Sequence, residues 1–231
     1  MSKIKDNLAK PDVLRYARSG NYEGLKKEIF AISGGRNPNA TTKTDENGLT
    51  PLHFAAIENH VDCIKLLLSA QADKDTLDKD GKTALHYASI HGHLDSVKEL
   101  VAETGSNRSI QDKNGFTPLH EASRNGHLNI VKELLIAYPD AGAKRDLVSK
   151  FGTTALHLAS YHGHLDIVQF LVEQLSDVTI KNRHGKLASQ VAKTRQIRKF
   201  LRPLENKKLG TPCCCCCRCI SCLGCSFTCF W

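Results

Sequence analysis

Residues 115–123 read GFTPLHEAS, and the phrase occurs in three further versions. It is GLTPLHFAA at 48–56, GKTALHYAS at 81–89 and GTTALHLAS at 152–160. Its threonines, Thr50, Thr83, Thr117 and Thr154, are spaced by 33, 34 and 37 residues. Each phrase is followed by a second apolar block: HVDCIKLLLS, HLDSVKELVA, HLNIVKELLI and HLDIVQFLVE. A degraded fifth copy, GKLASQVAK at 185–193, keeps the register, with Leu187 falling 33 residues after Thr154. A period of this length marks a chain built from stacked units, because one copy cannot bury its apolar face alone.

The positions within a copy predict two helices. Threonine ahead of an apolar run caps orphan backbone N–H groups. Proline at the next position, Pro51 and Pro118, sits where no N–H is needed; Ala84 and Ala155 replace it in the other two copies. Leu52, Leu85, Leu119 and Leu156 are assigned to the core, and the small residues Ala55, Ala56, Ala88, Ala122 and Ala159 let neighbouring helices approach closely. Gly92, Gly126 and Gly163 end this first helix where a positive φ is wanted, with Asn59 in the equivalent place. The second block is apolar at helical spacing, as in Leu128, Val131, Leu134 and Leu135.

These residues resemble the ankyrin repeat, whose pattern is T-P-L-H-x-A-A followed by G-H and a second helix. The resemblance covers roughly residues 45–204. It implies an all-α solenoid of helix-turn-helix units joined by hairpin-like loops. Repeats are expected at about 45–77, 78–111, 112–148, 149–181 and 182–205. A divergent helix pair and a loop are expected over 1–44, and a basic linker with a disordered cysteine-rich tail over 206–231. The closing segment TRQIRKFLRPL carries Ile197, Phe200, Leu201 and Leu204 on one helical stripe and Arg195, Arg198, Lys199 and Arg202 on the other. Two insertions, Ser33 to Thr44 and Ala137 to Leu147, are expected to be surface loops.

A composition of 41% hydrophobic and 24% charged residues suits a globular chain, and no apolar run approaches the roughly 20 residues of a membrane-spanning helix. The opening residues are charged and lack a secretory h-region, so a cytoplasmic placement is expected. The body holds one cysteine, Cys63, which fits that compartment. The net charge of +8 is unevenly spread: residues 181–208 hold ten basic groups against Glu205, whereas residues 1–180 hold 21 basic and 23 acidic.

Eleven histidines invite a metal or catalytic reading. His53, His86, His120 and His157 belong to the repeated phrase, where the resemblance implies bonds to neighbouring loop backbone. His60, His93, His127 and His164 follow the helix end and are read as architectural. Among the others, His91 and His162 pair with His93 and His164, and such pairs straddling a helix end do not supply three or four converging ligands. No phosphate loop, nucleophile elbow or paired carboxylates accompany them. Neither an enzyme, a metal site nor a cofactor is expected.

The resemblance implies that a protein partner would use the loop tips and the concave inner-helix face. Positions that vary between copies are the candidates: Glu46, Asn47, Lys79, Asp80, Lys113, Asn114, Lys150 and Phe151 at the tips, with Leu49, Lys82, Phe116 and Thr153 just before the helices. On the inner helices they are Ile57, Glu58, Ile90, His91, Arg124, Asn125, Tyr161 and His162. Aromatic and arginine anchors are typical of binding hot spots, although singly exposed apolar residues are ordinary. A monomer is expected.

The tail holds Cys213, Cys214, Cys215, Cys216, Cys217, Cys219, Cys222, Cys225 and Cys229 beside Ile220, Leu223, Phe227, Phe230 and Trp231, with no acidic residue. Three readings stand. S-acylation is one; cysteine-string proteins look similar in this respect. Acyl chains contribute about 0.8 kcal/mol per buried CH₂, and anchoring takes a second signal. Lys193, Arg195, Arg198, Lys199, Arg202, Lys207 and Lys208 would supply it against an anionic membrane surface, at about 1 kcal/mol per basic residue. Metal or redox chemistry is another, since Cys219, Cys222, Cys225 and Cys229 follow C-x₂-C-x₂-C-x₃-C, but without the following proline or a second run. The third is a disordered end without function. Nucleic acid is a further partner a basic end could serve, but no stacking aromatics or reader motif is legible.

Overall fold

The computed structural model describes residues 12–30, 37–102, 108–136 and 145–209. The nine tail cysteines and residues 137–144 of the second insertion lie outside the described residues. Among the described residues there are thirteen helices and no strand. They are α1 (Val13–Ser19), α2 (Tyr22–Ile29), α3 (Pro38–Thr42), α4 (Pro51–Ile57), α5 (Val61–Ser69), α6 (Ala84–His91) and α7 (Leu94–Ala102). The remainder are α8 (Pro118–Asn125), α9 (Leu128–Ile136), α10 (Ala155–His162), α11 (Leu165–Glu173), α12 (Ala188–Val191) and α13 (Arg195–Leu209).

Helices α1, α4, α6, α8, α10 and α12 lie side by side as an inner layer, and α2, α5, α7, α9, α11 and α13 as an outer one. This is the all-α solenoid of stacked helix pairs that the resemblance implies. The core runs unbroken between the layers, through Leu25, Ile64, Leu67, Leu100, Ile130, Leu134, Ile167, Leu171 and Ile197, all fully buried. Each such side chain contributes about 2 kcal/mol by leaving water.

Histidines stitch the layers to each other along the stack. In the repeated phrase, the Thr50, Thr83, Thr117 and Thr154 N–H groups donate to Nδ1 of His53, His86, His120 and His157 at 3.1–3.3 Å. A ring nitrogen that accepts leaves the proton on Nε2. That nitrogen donates forward, into the next loop, to the carbonyls of Lys82, Phe116, Thr153 and Lys186, each at 3.1 Å. The second set points backward. Nε2 of His60, His93, His127 and His164 donates to the carbonyls of Arg18, Ile57, Ile90 and Arg124 at 2.9–3.1 Å. Those carbonyls sit at the ends of preceding inner helices, where they lack an intrahelical donor.

Gly126 shows why the helix end admits so little variation. Its φ is 85°, and a Cβ there would come within 2.6 Å of the His164 ring. Asn59 also has a positive φ, 58°, and uses its side chain to accept from Ser96 Oγ in the next repeat at 2.7 Å.

Two segments differ from expectation. The first insertion is not all loop: it contains α3, whose start is closed by Asn37 Oδ1 accepting from Asn39 N–H at 3.1 Å, and it buries Ala40 and Thr41. At the other end, α13 continues to Leu209, so residues 206–209 are helix and not the start of a linker. The fifth copy is closed by substitutes. Gln190 Oε1 accepts the Leu187 N–H at 2.9 Å, as a histidine does elsewhere. The Glu205 carboxylate, 3% exposed, accepts both the N–H and the hydroxyl of Ser189. The one acid of the basic segment thus anchors α13 against α12.

Burial pushes His86 and His120 down to about 4, against the opposing pull of their carbonyl partners. Their folded values lie below the unfolded value of 6.5, so the stability they confer is whole above pH 6.5 and is lost as the pH falls towards 4. Two such groups give a slope of about 3 kcal/mol per pH unit. Urea midpoints measured from pH 7 to 4.5 should fall accordingly. His86→Gln with His120→Gln, which reproduces the geometry of Gln190 without a titrating group, should flatten the curve; an unchanged slope would refute the assignment. Separately, the hydroxyls of Ser89, Ser123 and Ser160 are buried without a hydrogen-bond partner at the position Ala56 occupies in its own repeat. Replacing all three with alanine should add about 1 kcal/mol apiece and raise the melting temperature; a lower one would show hidden partners.

Candidate functional site

The loop tips are held in register before any side chain is considered. At the base of each loop a short polar side chain accepts from the N–H groups two and four residues on. Asp112 Oδ1 does so from Asn114 and Phe116, both at 2.8 Å, and Asp45, Asp78, Ser149 and Asn182 act alike. Successive tips are then tied to each other. The N–H of Lys79, Lys113, Lys150 and Arg183 donates to the carbonyl of Asn47, Asp80, Asn114 and Phe151 at 2.8–3.0 Å. Gly115 lies so close to the following loop that a Cβ would meet Lys150 N at 2.7 Å.

On this frame, Glu46, Asn47, Lys79, Asp80, Lys113, Asn114 and Phe151 are exposed at the tips. Along the inner helices Glu58, His91, Arg124, Asn125 and Tyr161 are exposed, while Ile57, Ile90, Phe116 and His162 are half-buried. Asn125 turns back on its own helix, its Nδ2 donating to the Glu121 carbonyl at 3.0 Å. Ile57 and Ile90 are therefore packed more than a fully exposed row would allow, and Tyr161, at 61%, stands out from it.

Seven of the candidates converge, Thr153 among them. Asn114, Phe116, Arg124, Phe151, Tyr161 and His162 line one groove of about 440 Å³ between α8, α10 and their loops. The Phe116 and Phe151 rings are 6.0 Å apart, and Tyr161 meets His162 edge-on at 5.2 Å. Glu46, Asn47, Ile57, Glu58, Lys79, Asp80, Ile90, His91, Lys113 and Asn125 do not line it.

Thr153 and Leu158 complete the groove, and of these two Leu158 is not among the expected contact residues. Leu158 occupies the x of T-x-L-H-x-A, which is Phe54, Tyr87, Glu121 and Leu158 across the copies, so its variability was the available signal. That position also carries Tyr87, whose hydroxyl donates to Asp78 Oδ2 at 2.6 Å, and Glu121, only 4% exposed. Lys82 Nζ stands 3.9 Å from Glu121 and 3.8 Å from Asp112, with Arg124 at 4.0 Å from Glu121. Burial pushes the Glu121 carboxyl up; Lys82 and Arg124 pull it down.

The histidine pairs do not form a metal centre. His91 stacks on His93 at 5.8 Å and His162 on His164 at 6.3 Å, and the second ring of each pair is committed to a carbonyl. Among the described residues no group of three or more His, Cys, Asp or Glu side chains is placed to hold a metal ion. Cys63 is buried, and burial pushes its thiol up.

On the outer layer, Arg195, Arg198, Lys199 and Arg202 are exposed along α13, with Lys193 before it and Lys207 and Lys208 in its last turn. Arg198 Nε donates to the Ala192 carbonyl at 3.1 Å, and Lys208 lies 3.9 Å from Asp177. Among the described residues no helix is long and apolar enough to cross a membrane.

A family model described as ankyrin repeats (3 copies) matches residues 14–112 and 102–182. No curated protein matches the chain. The family match begins within α1, ahead of the first full copy of the repeated phrase. The stacked helix pairs, the hydrogen-bonded loop tips and a family match spanning most of the chain agree: this protein belongs to the ankyrin repeat family.

Proposed function

We propose that the chain is a noncatalytic adaptor that captures a protein partner on its concave face and loop tips. Ankyrin repeats are protein-interaction domains. The observation that carries the reading is the groove between α8 and α10, lined by Phe116, Phe151, Tyr161 and Arg124. Phe151 is 51% exposed, an unusual placement for a phenylalanine on a loop held this firmly. Phe116→Ala with Tyr161→Ala should weaken capture of a partner by at least tenfold and leave the helical content and melting temperature near those of the unaltered chain. Loss of helicity would return both residues to the core and remove them from the binding face.

We further propose that the adaptor works at the cytosolic face of a membrane, held there by S-acylation of Cys213 to Cys229. The basic face of α13 is the second attachment. Its charges point outward from the layer opposite the groove, so attachment and capture would use different surfaces. A chain ending at Leu209 keeps every described helix and removes every tail cysteine. Fractionation of cells expressing the full and shortened chains should show membrane association for the full chain alone, released by hydroxylamine, which cleaves thioesters. Stoichiometric zinc or visible absorbance in the purified full chain would favour metal instead, and equal soluble behaviour of the two chains would remove the tether.

A further inference from the structure

The residue after the polar base of each loop changes sign along the solenoid: Glu46, Lys79, Lys113, Lys150, Arg183. The backbone N–H of each of the four basic residues is a donor in the inter-loop ladder, so their spacing is fixed by main-chain hydrogen bonds and not by side-chain chance. All four side chains are exposed, and none is ion-paired among the described residues. Lys113 and Lys150 are chain neighbours of Asn114 and Phe151, which line the groove with Phe116 and Tyr161, and the Arg183 N–H donates to the Phe151 carbonyl. Arg124 lines that groove, with its side chain 49% exposed. The acids nearby do not cancel this field. Glu121 is buried and shared between Lys82 and Arg124, and Asp80 is a single exposed carboxylate between Lys79 and Lys113.

We propose that the groove receives an apolar side chain from an acidic, extended segment of the partner protein, whose carboxylates meet Lys113, Lys150 and Arg183. The inference rests on the protein-capture reading above and specifies the partner's chemistry. An apolar anchor in the groove supplies the strength of binding, as aromatic pockets do at hot spots. The basic row supplies encounter rate and selection against basic segments. Single-stranded nucleic acid would also favour cations beside aromatics. The Phe116 and Phe151 rings, however, lie 6.0 Å apart and tilted by 32°, which leaves no room for a base stacked between them.

The test uses the full-length chain under reducing conditions, selected against a displayed library of random twelve-residue peptides. Enriched peptides are then synthesised and titrated by fluorescence anisotropy. The expected winners carry several Asp or Glu residues around one aromatic or branched apolar residue. Their affinity should fall about tenfold or more with Lys113→Glu plus Lys150→Glu, and similarly with Tyr161→Ala, while Lys27→Glu on α2 leaves it unchanged. It should also weaken steeply between 50 and 300 mM salt. Should the double reversal perturb melting, Lys113→Gln with Lys150→Gln replaces it, and a reduced salt dependence is the expected result. Neutral or basic winners that still need Tyr161 would overturn the acidic-partner inference and leave protein capture standing. An absence of any enriched peptide would overturn both. A twelve-nucleotide oligouridylate that binds more tightly than the best peptide, and loses affinity with the Lys113 and Lys150 changes, would reassign the groove to nucleic acid.

Discussion

The fold depends on a neutral histidine that accepts at one nitrogen and donates at the other. His53, His86, His120 and His157 each take an N–H from their own repeat and give one to the next. An imidazole is the side chain that can close a helix start and bridge to a neighbouring loop at once, because its acceptor and donor lie on opposite sides of a rigid ring. Protonation would turn the acceptor into a second donor facing an N–H. Burial prevents this at neutral pH, and the geometry in turn requires burial. The backward-pointing histidines, His60, His93, His127 and His164, satisfy helix-end carbonyls by the same donor chemistry.

With the stack held in this way, the loops become a measured surface. Short polar side chains fold each tip, and one hydrogen bond per step links it to the next. Side chains projecting from such a ladder have fixed separations, so a row of charges or rings there costs a partner less ordering than the same residues on a flexible loop would. The groove between α8 and α10 follows from this arrangement, since Phe116 and Phe151 come from consecutive loops and Tyr161 from the inner helix below them.

The ends of a solenoid must stop without a neighbour. At its last repeat the stack substitutes Gln190 for histidine and Glu205 for the missing cap, and the outer member of the last pair is a long helix with a basic outer face. Glu205 stands in the sequence as a lone acid in a basic run, and nothing local marks it as a buried ligand of Ser189. Its role depends on the chain folding back over a separation of 16 positions, which only the packing of α13 on α12 brings about.

Periodicity alone was enough to determine the helix pairs, their order, the core leucines and the helix-ending positions, because each depends on contacts that recur at a fixed spacing. Which of the variable positions act together was not legible, because periodicity places residues within a repeat and says nothing of which neighbours share a hollow. Phe116, Phe151 and Tyr161 were readable as unusual residues; that they line one groove together with Leu158 was decided by the stacking of two repeats. Glu121 teaches the same lesson from the opposite direction. In sequence it is one more variable residue, and only tertiary structure buries it between Lys82 and Arg124, because burial is a property of what covers a side chain and not of the side chain itself.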